Sequence, residues 1–234
     1  MRALALIFPV ASMFAAVPAV ADNDPIAIRT ISVTGEGEAS ATPDIMILNI
    51  GVKTEGATAA EALKKNAAQM NATINAIRDG GVAKRDIQTS NLSVNARYDY
   101  PRDGSAPQLT GYQASNSVRV KIREVYKAGR VIDQTVESGA NRLNSLSLAF
   151  SDEKPLLEKA RKNAVDDAHD KAKLYADAAS VKLGKVLQIS EGGNYSRGPI
   201  PVSARLKAAD AAATPIATGE STISVNLNVI YAIE

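Results

Sequence analysis

The sequence predicts an α+β fold, with two β-α-β-type units whose helices pack on one side of a largely antiparallel sheet. Three features of the sequence predict it: a long helix with small residues on one face, an alternating last strand, and a weak repeat of strand, helix and strand. Helices segregated to one face of an antiparallel sheet are one of the few stable two-layer arrangements.

The long helix is predicted from Leu156 onward, ending near Gly184 and followed by a strand over Lys185–Glu191. Alanines recur at every fourth position, so that they follow one face of a helix: Ala160, Ala164, Ala168, Ala172 and Ala176. Leu157, Val165 and Tyr175 project onto the same arc. Because alanine is small, we expect this face to lie close against a sheet or a second helix.

The last predicted strand, Ser221–Glu234, has the most regular alternation in the chain. Its apolar residues occupy every second position: Ile223, Val225, Leu227, Val229, Tyr231 and Ile233. A strand so long and apolar would promote aggregation at a sheet edge. We therefore expect it to be central in its sheet or paired across a subunit boundary.

The internal repeat covers residues 44–98 and 112–150, each reading strand, helix, Gly-turn and strand. In the first copy, Thr58 and Glu61 form a capping box for a helix over Ala59–Asp79. An apolar stripe along this helix predicts its core-facing side: Leu63, Ala67, Met70, Ile74 and Ile77. The second helix is predicted over Tyr126–Ser138.

Residues 1–21 have the pattern of a cleaved secretory signal peptide: Arg2, a short apolar run, then Ala19-Val20-Ala21 before Asp22. The alternative is an N-terminal anchor that is retained. We expect residues 22–234 to form a single domain in the periplasm. The chain has no cysteine, so its stability must come from its core or from oligomerisation. The signal segment contains one basic and no acidic residue, so its removal lowers the net charge from +2 to +1, which gives no support to nucleic-acid binding.

Two loops are candidate contact regions. Residues 192–219 are rich in Gly, Pro and Ala, and are interpreted as either a mobile loop or an oligomer arm. Tyr98–Gly111 is a turn-rich loop between two strands. Tyrosines near loops favour interfaces, and the candidate interface residues are Tyr98, Tyr100, Tyr112, Tyr195 and Arg197. The alternative for these residues is ordinary packing at strand ends.

A search for chemistry finds no catalytic residues, no cofactor-binding motif and no metal site. His169 is the only histidine and is expected on a helix surface, which leaves no ordinary zinc site and no serine-histidine-aspartate triad. Asp166, Asp167 and Asp170 could attract a cation weakly, but nearby lysines favour a solvated helix face. No phosphate-binding glycine loop is present.

Several short motifs together resemble the SIMPL-domain family: Ile31–Gly37 (ISVTGEG), Pro43-Asp44, Tyr98-Asp99-Tyr100, Gly111–Ser115 (GYQAS), Gly139-Ala140 and Leu183–Val186 (LGKV). The resemblance extends from about Ile28 to the C-terminus. It implies an exported α+β protein without a cofactor that assembles into a large, channel-like ring. It also implies a link to oxidative-stress defence. The family offers no established catalytic residues, and residues 192–219 depart from its pattern.

Two hypotheses for the function follow. The first is a non-enzymatic, exported, homo-oligomeric protein, with a possible association with the cell envelope and an unknown ligand. The second is a stress-response enzyme, a hydrolase or redox enzyme, with an unrecognised site. The absence of a nucleophile–base pair or cofactor loop in the sequence favours the first.

Overall fold

The structure is a computed structural model that describes residues 29–192, 196–200 and 214–234. Within these residues the chain forms eight strands and three α-helices, in the order β1 (Thr30–Ala41), β2 (Ile45–Gly56), α1 (Ala59–Asp79), β3 (Ile87–Asp99), β4 (Gln108–Ile122), α2 (Ala128–Glu137), β5 (Arg142–Ala149), α3 (Lys154–Ala178), β6 (Leu183–Glu191), β7 (Ser196–Ile200) and β8 (Glu220–Ile233). Short 3-10 turns, Lys84–Asp86 and Val125–Lys127, precede β3 and α2.

Strands β2 to β5 form one antiparallel sheet in the order β3-β4-β2-β5. Helix α1 connects β2 to β3, which lies two places away with β4 between them. Helix α2 likewise connects β4 to β5, across β2. This is the split β-α-β arrangement of ferredoxin-like folds. We call this part, residues 45–149, the ferredoxin-like unit.

Large side chains fill the core between the helices and the sheet of this unit. Alternate residues of β2 and β4 face the helices and are buried: Met46, Leu48, Ile50, Val52, Val118, Val120 and Ile122. Met70 and Ile77 of α1 and Val131 of α2 pack on them. The fully buried Asn66 of α1 donates from Nδ2 to Val52 O (2.9 Å) and Ala114 O (3.3 Å), which connects the helix to two strands at once.

The remaining strands form a second antiparallel sheet with β8 at its centre. β1 pairs with β8 from Thr30 to Ala41, while β6 and β7 share the opposite side of β8. The apolar row of β8 packs under α3, with Val225, Leu227, Val229 and Tyr231 all buried. We call β1, α3, β6, β7 and β8 the alanine-helix unit.

Two glycines let α3 approach β1 backbone to backbone. A Cβ atom on Gly35 would lie 2.0 Å from Ala164 O, and one on Gly37 would lie 2.0 Å from Ala160 O. Since real atoms cannot approach so closely, only glycine fits at these two places. The five alanines predicted from their spacing are the buried residues of α3.

The units are connected by the β1–β2 segment and by a contact with the turn before α3. Asp44 Oδ1 accepts a hydrogen bond from the backbone N–H of Ser151 (2.7 Å), and the Ser151 hydroxyl also bonds to this carboxylate. These bonds, the hydroxyl's first, hold the pKa of Asp44 below its ordinary value despite some burial. The Asp44 carboxylate is therefore ionised near neutral pH and holds the segment before β2 against the turn before α3.

The α+β class with antiparallel strand pairing is confirmed, and so is the central position of the last strand. The strands divide into two sheets, the first covered by α1 and α2 and the second by α3, where the sequence pattern had suggested one sheet. That residues 22–234 form a single domain stays a prediction. Residues 1–21 lie outside the described residues, as does most of 192–219.

Two details of the predicted helix faces are wrong. Leu63 is 40% exposed and Ala67 is also exposed, whereas Asn66 and Thr73 are buried in α1. Val165 and Tyr175 on α3 are 37% and 53% exposed. In both helices the buried strip is narrower than the apolar arc, so large residues at its margin remain in water.

Candidate oligomerisation surface

The strand order determines which strands have a backbone side without a strand partner. In the alanine-helix unit, β1 and β6 are outer strands, and β6 carries a charged residue near each end, Lys185 and Glu191. In the ferredoxin-like unit, β3 and β5 are the outer strands. Unpaired N–H and C=O groups on such strands are a template for pairing with another chain, and proteins usually cover or charge them.

The outer side of β1 is covered by α3. Three polar side chains, spaced four residues apart on the helix, bond to its backbone: Lys171 Nζ donates to Thr34 O (3.1 Å), Asp167 Oδ2 accepts from Glu36 N–H (2.8 Å), and Asn163 Nδ2 donates to Glu38 O (2.8 Å). Glu36 and Glu38 are themselves exposed charges. This edge has therefore lost much of its ability to add a strand.

Electrostatics stabilise the cover on β1. Lys171 Nζ lies 2.7 Å from Asp167 Oδ2. This bond, and next the Glu36 N–H, hold the pKa of Asp167 below the ordinary value for aspartate. The same contact raises the pKa of Lys171. Both groups are charged near neutral pH, where the pair holds the helix flank on the strand.

Strands β3 and β5 lack such protection. No residue between Ile87 and Ala96 on β3, or between Leu143 and Ala149 on β5, is charged or is proline. Among the described residues, no side chain hydrogen-bonds to the outer backbone of either segment. Most of their side chains are exposed.

Large apolar side chains are exposed on these two strands and on the flanks of the helices above them. On the β3 side they are Leu92 (57%), Val94 (37%) and, from α1, Leu63 (40%). On the β5 side they are Leu143 (56%), Leu146 (39%) and, from α2, Val136 (54%). Exposed apolar groups clustered in this way are typical of protein–protein contact sites.

The tip of the β3–β4 hairpin adds aromatic surface. Of the predicted interface residues, Tyr98 and Tyr100 are 50% and 70% exposed, and Leu109 beside Tyr98 is 52% exposed. Tyr112 is partly buried. Tyr195 lies outside the described residues. For Arg197 in β7 the structure describes only the backbone, which pairs with Ile223 of β8. Their role in contacts stays a prediction.

An ion pair fixes the start of β3. Arg123 at the end of β4 donates from Nε and Nη2 to the two carboxylate oxygens of Asp86, both at 2.8 Å. The Asp86 side chain is only 6% exposed, and the arginine, with help from Arg85 and Lys121, lowers the pKa of its carboxyl. This bidentate contact is structural, since it locks the 3-10 turn against the neighbouring strand.

The described residues hold no cluster of three or more His, Asp or Glu that could bind a metal ion. His169 is exposed, with its ring 6.2 Å from the Tyr231 ring. Asp167, one of the three aspartates considered for a cation, is occupied by Lys171 and the Glu36 N–H. In the described part of the chain, no helix is long and apolar enough to span a membrane.

Sequence reasoning missed the open edges of β3 and β5, although a signal for them was present. Both strands alternate apolar and polar residues and contain a long run without charge. What the sequence did not show was that these strands are outermost in their sheet, because strand order depends on the crossover paths of α1 and α2.

Comparison with known proteins places the chain in a family. The SIMPL family model, described as "Protein of unknown function (DUF541)", matches residues 31–231. A "26 kDa periplasmic immunogenic protein" of Brucella melitensis is 38% identical over 214 residues, which cover 87% of this chain and 84% of that protein. The "Uncharacterized protein YggE" of Escherichia coli K12 is 32% identical over 192 residues, 82% of this chain and 75% of that protein.

The names of these relatives assign no enzymatic activity, and the name of the Brucella protein places that protein in the periplasm. The family match covers both the alanine-helix unit and the ferredoxin-like unit. The resemblance inferred from the short motifs is thereby confirmed, and the chain belongs to the SIMPL family.

Proposed function

We propose that this protein is an exported, non-enzymatic subunit of a homo-oligomer in the bacterial periplasm. The observation that carries the proposal is the contrast between a covered edge at β1 and uncovered, uncharged edges at β3 and β5. Of the four outer strands, β1 is covered and β6 carries the charges of Lys185 and Glu191, whereas β3 and β5 are bare over most of their length and are available for pairing. Strand addition by a second copy supplies that pairing.

The periplasmic part of the proposal is supported by two points. One is the name of the Brucella relative, which calls that protein periplasmic. The other is the signal-peptide pattern of residues 1–21. N-terminal sequencing of the protein from a periplasmic extract is expected to start at Asp22. Finding an intact Met1 in the membrane fraction would contradict cleavage and favour a retained anchor.

We further infer that the oligomer is a closed, channel-like assembly that contributes to envelope or oxidative-stress defence. The family resemblance supports this inference, and the two open edges on opposite sides of one sheet are compatible with closure. A strain lacking the gene is expected to lose viability faster in peroxide than its parent, with rescue by the wild-type gene. Equal survival of the two strains would remove the stress-defence part.

The oligomer itself is tested by mass in solution. Light scattering of the wild type over a range of concentrations is expected to give a mass several times that of the chain. Val94→Lys on β3 and Leu146→Lys on β5 add a charge to each edge, and each is expected to shift the protein to smaller species. Asn71→Lys, on the exposed side of α1, is the control and should leave the mass unchanged.

A wild-type protein that remains monomeric at the highest concentration would overturn the proposal. Circular dichroism of each variant separates loss of assembly from loss of folding, since both substituted side chains are exposed in the chain. Lysine at these positions should leave the spectrum unchanged.

The tyrosine loop is tested separately. Tyr100 is 70% exposed, so Tyr100→Ala should leave the melting temperature of the monomer nearly unchanged. If Tyr100 is an interface anchor, the loss is about 2 kcal/mol of contact energy between subunits. The variant would then dissociate at higher concentration than the wild type. A lower melting temperature with no change in mass would assign Tyr100 to packing within the chain.

A further inference from the structure

The two open edges of the ferredoxin-like unit are built in the same way, from an outer strand and the flank of a helix. At β3, alternate residues facing the helix side of the sheet include Leu92 and Val94, in register with Asn116 and Ala114 of β4. Asn66 of α1 points down at the sheet, and Gln69 lies beside the turn at Gly139 after α2. Since three residues turn a helix by about 300°, Leu63 and Gln69 lie about 60° to either side of Asn66, so Leu63 is on the flank of α1 away from α2, toward β3.

At β5 the same relation holds with α2. Leu143 and Leu146 pair in register with the buried Ile50 and Leu48 of β2, so they face the helix side of the sheet. Val131 and Gln134 of α2 lie beside Gly80 at the end of α1. Val136 is on the flank of α2 away from α1, toward the β5 side of the unit. At each outer strand, exposed apolar side chains of the strand and of a helix flank thus lie beside an open backbone edge, and at β3, which α1 contacts, they form a shallow apolar groove.

The direction of the strands allows the two edges to join. In the antiparallel order β3-β4-β2-β5, β3 and β5 run in opposite directions. A rotation about an axis parallel to the strands keeps the direction of every strand. It therefore places β5 of one copy antiparallel to β3 of the next, with the helices of both copies on the same face.

Charges at the ends of the two strands are complementary in this arrangement. Lys84 and Arg85 stand just before β3, and Asp152 follows β5. In an antiparallel pair, the start of β3 lies toward the end of β5. At the other end, Asp99 of β3 lies toward Arg142 of β5. Because β3 has 13 residues and β5 has 8, only one of these charge pairs is adjacent in a given register. With Asn95 opposite Ser145 it is Asp99 and Arg142, which favours that register over a displaced one.

We propose that the β3 edge of one copy receives β5 of a second copy, so that the sheet continues across the subunit boundary. Leu143, Leu146 and Val136 of the second copy then fill the groove between α1 and β3. This inference rests on the proposed homo-oligomer and specifies its contact. A single kind of contact satisfies both open edges, whereas pairing of β3 with β3 leaves both copies of β5 bare.

The absence of cysteine makes a direct test possible. Asn95 on β3 and Ser145 on β5 lie on the face opposite the helices, and both are exposed. The full-length double variant Asn95→Cys/Ser145→Cys is treated with a short bismaleimide and separated on a denaturing gel. The expected result is a ladder of covalent dimers, trimers and larger species, several-fold above the matched control Asn71→Cys/Ser145→Cys.

The single variants decide between the two kinds of pairing. Asn95→Cys alone and Ser145→Cys alone should give no more dimer than the control. The proposed contact pairs β3 with β5, so it never places two copies of the same cysteine side by side. Dimers from either single variant would show pairing of like strands and overturn the inference. If the double variant fails to fold by circular dichroism, Ser93→Cys/Ser147→Cys tests the same register and decides by the same outcomes.

The result also distinguishes this inference from the proposed homo-oligomer on which it rests. An oligomer of normal mass that gives no ladder would overturn the β3–β5 contact and leave the homo-oligomer intact. A monomer by light scattering would overturn both.

Discussion

The two units of the molecule place helices on sheets in opposite ways. In the alanine-helix unit, small residues of α3 meet Gly35 and Gly37, and the backbones nearly touch. In the ferredoxin-like unit, side chains such as Leu48, Ile50 and Ile77 fill the space between the layers. A helix that comes down close can reach over the strand and bond to its edge, as α3 does on β1. Helices held away by large side chains leave the edges open, so packing depth and edge protection are linked.

The largest expected effect breaks the close contact. Gly37→Val puts a branched side chain where even a Cβ would lie 2.0 Å from Ala160 O. We expect the free energy of unfolding to fall by about 4 kcal/mol or more, because two backbones must separate. The denaturant midpoint measures it. Thr34→Val, at an exposed position of the same strand, is the control, and equal midpoints for the two variants would refute the backbone contact.

The second-largest expected effect comes from removing a side chain from the core between the helices and the sheet of the ferredoxin-like unit. Ile77→Ala removes a fully buried side chain from the core of the ferredoxin-like unit and should cost about 2–5 kcal/mol, by lost burial and a cavity. Leu63→Ala, on the exposed flank of the same helix, should cost much less in the monomer. If Leu63→Ala proved as destabilising as Ile77→Ala, the assignment of Leu63 to an open groove would be wrong.

The third effect sharpens the contrast along α3. Ala168→Leu adds bulk beside Gly35 and should cost about 1–3 kcal/mol by overpacking. Asp166→Leu, on the exposed side of the helix, should change stability far less. Thermal or denaturant unfolding of both variants measures the difference, and similar shifts would mean that α3 does not present a single close-packed face.

The smallest expected effect on stability concerns the bonds by which α3 covers the outer edge of β1. Because the pKa of Asp167 is lowered in the folded protein, its contribution is present above the unfolded value of about 3.9 and is lost as the pH falls through the folded pKa. Asp167→Asn should reduce stability at neutral pH by about 1 kcal/mol or less, since the pair is partly exposed. Unfolding measured at several pH values should show this difference shrinking below about pH 4. A difference that persisted unchanged in strong acid would exclude the carboxylate as its source.

The sequence predicted most clearly what depends on local pattern. The alanines at every fourth position identified the buried face of α3, and Thr58 and Glu61 identified the start of α1, where the Glu61 N–H donates to the Thr58 hydroxyl (3.2 Å). The alternation of β8 predicted its central place. These features are encoded within a few residues of one another, so a single stretch of chain suffices to show them.

What escaped prediction depends on residues far apart. The division of strands into two sheets follows from β1 pairing with β8, and the open edges follow from the crossover paths of α1 and α2. The end of α3 was also misplaced. The helix stops at Ala178, before the predicted end near Gly184, and Ser180 adopts the left-handed conformation (φ 55°).

The pairing of β1 with β8 has a consequence for the order in which the chain folds. Ser32 and Asn228, which bond across this pair, are 196 positions apart in sequence, and the whole ferredoxin-like unit lies between them. Closing so long a loop is slow compared with forming contacts inside residues 45–149. The ferredoxin-like unit can therefore fold before β1 is joined by β8. During that interval the open edges of β3 and β5 already exist, so nascent copies are able to meet before either one has finished folding.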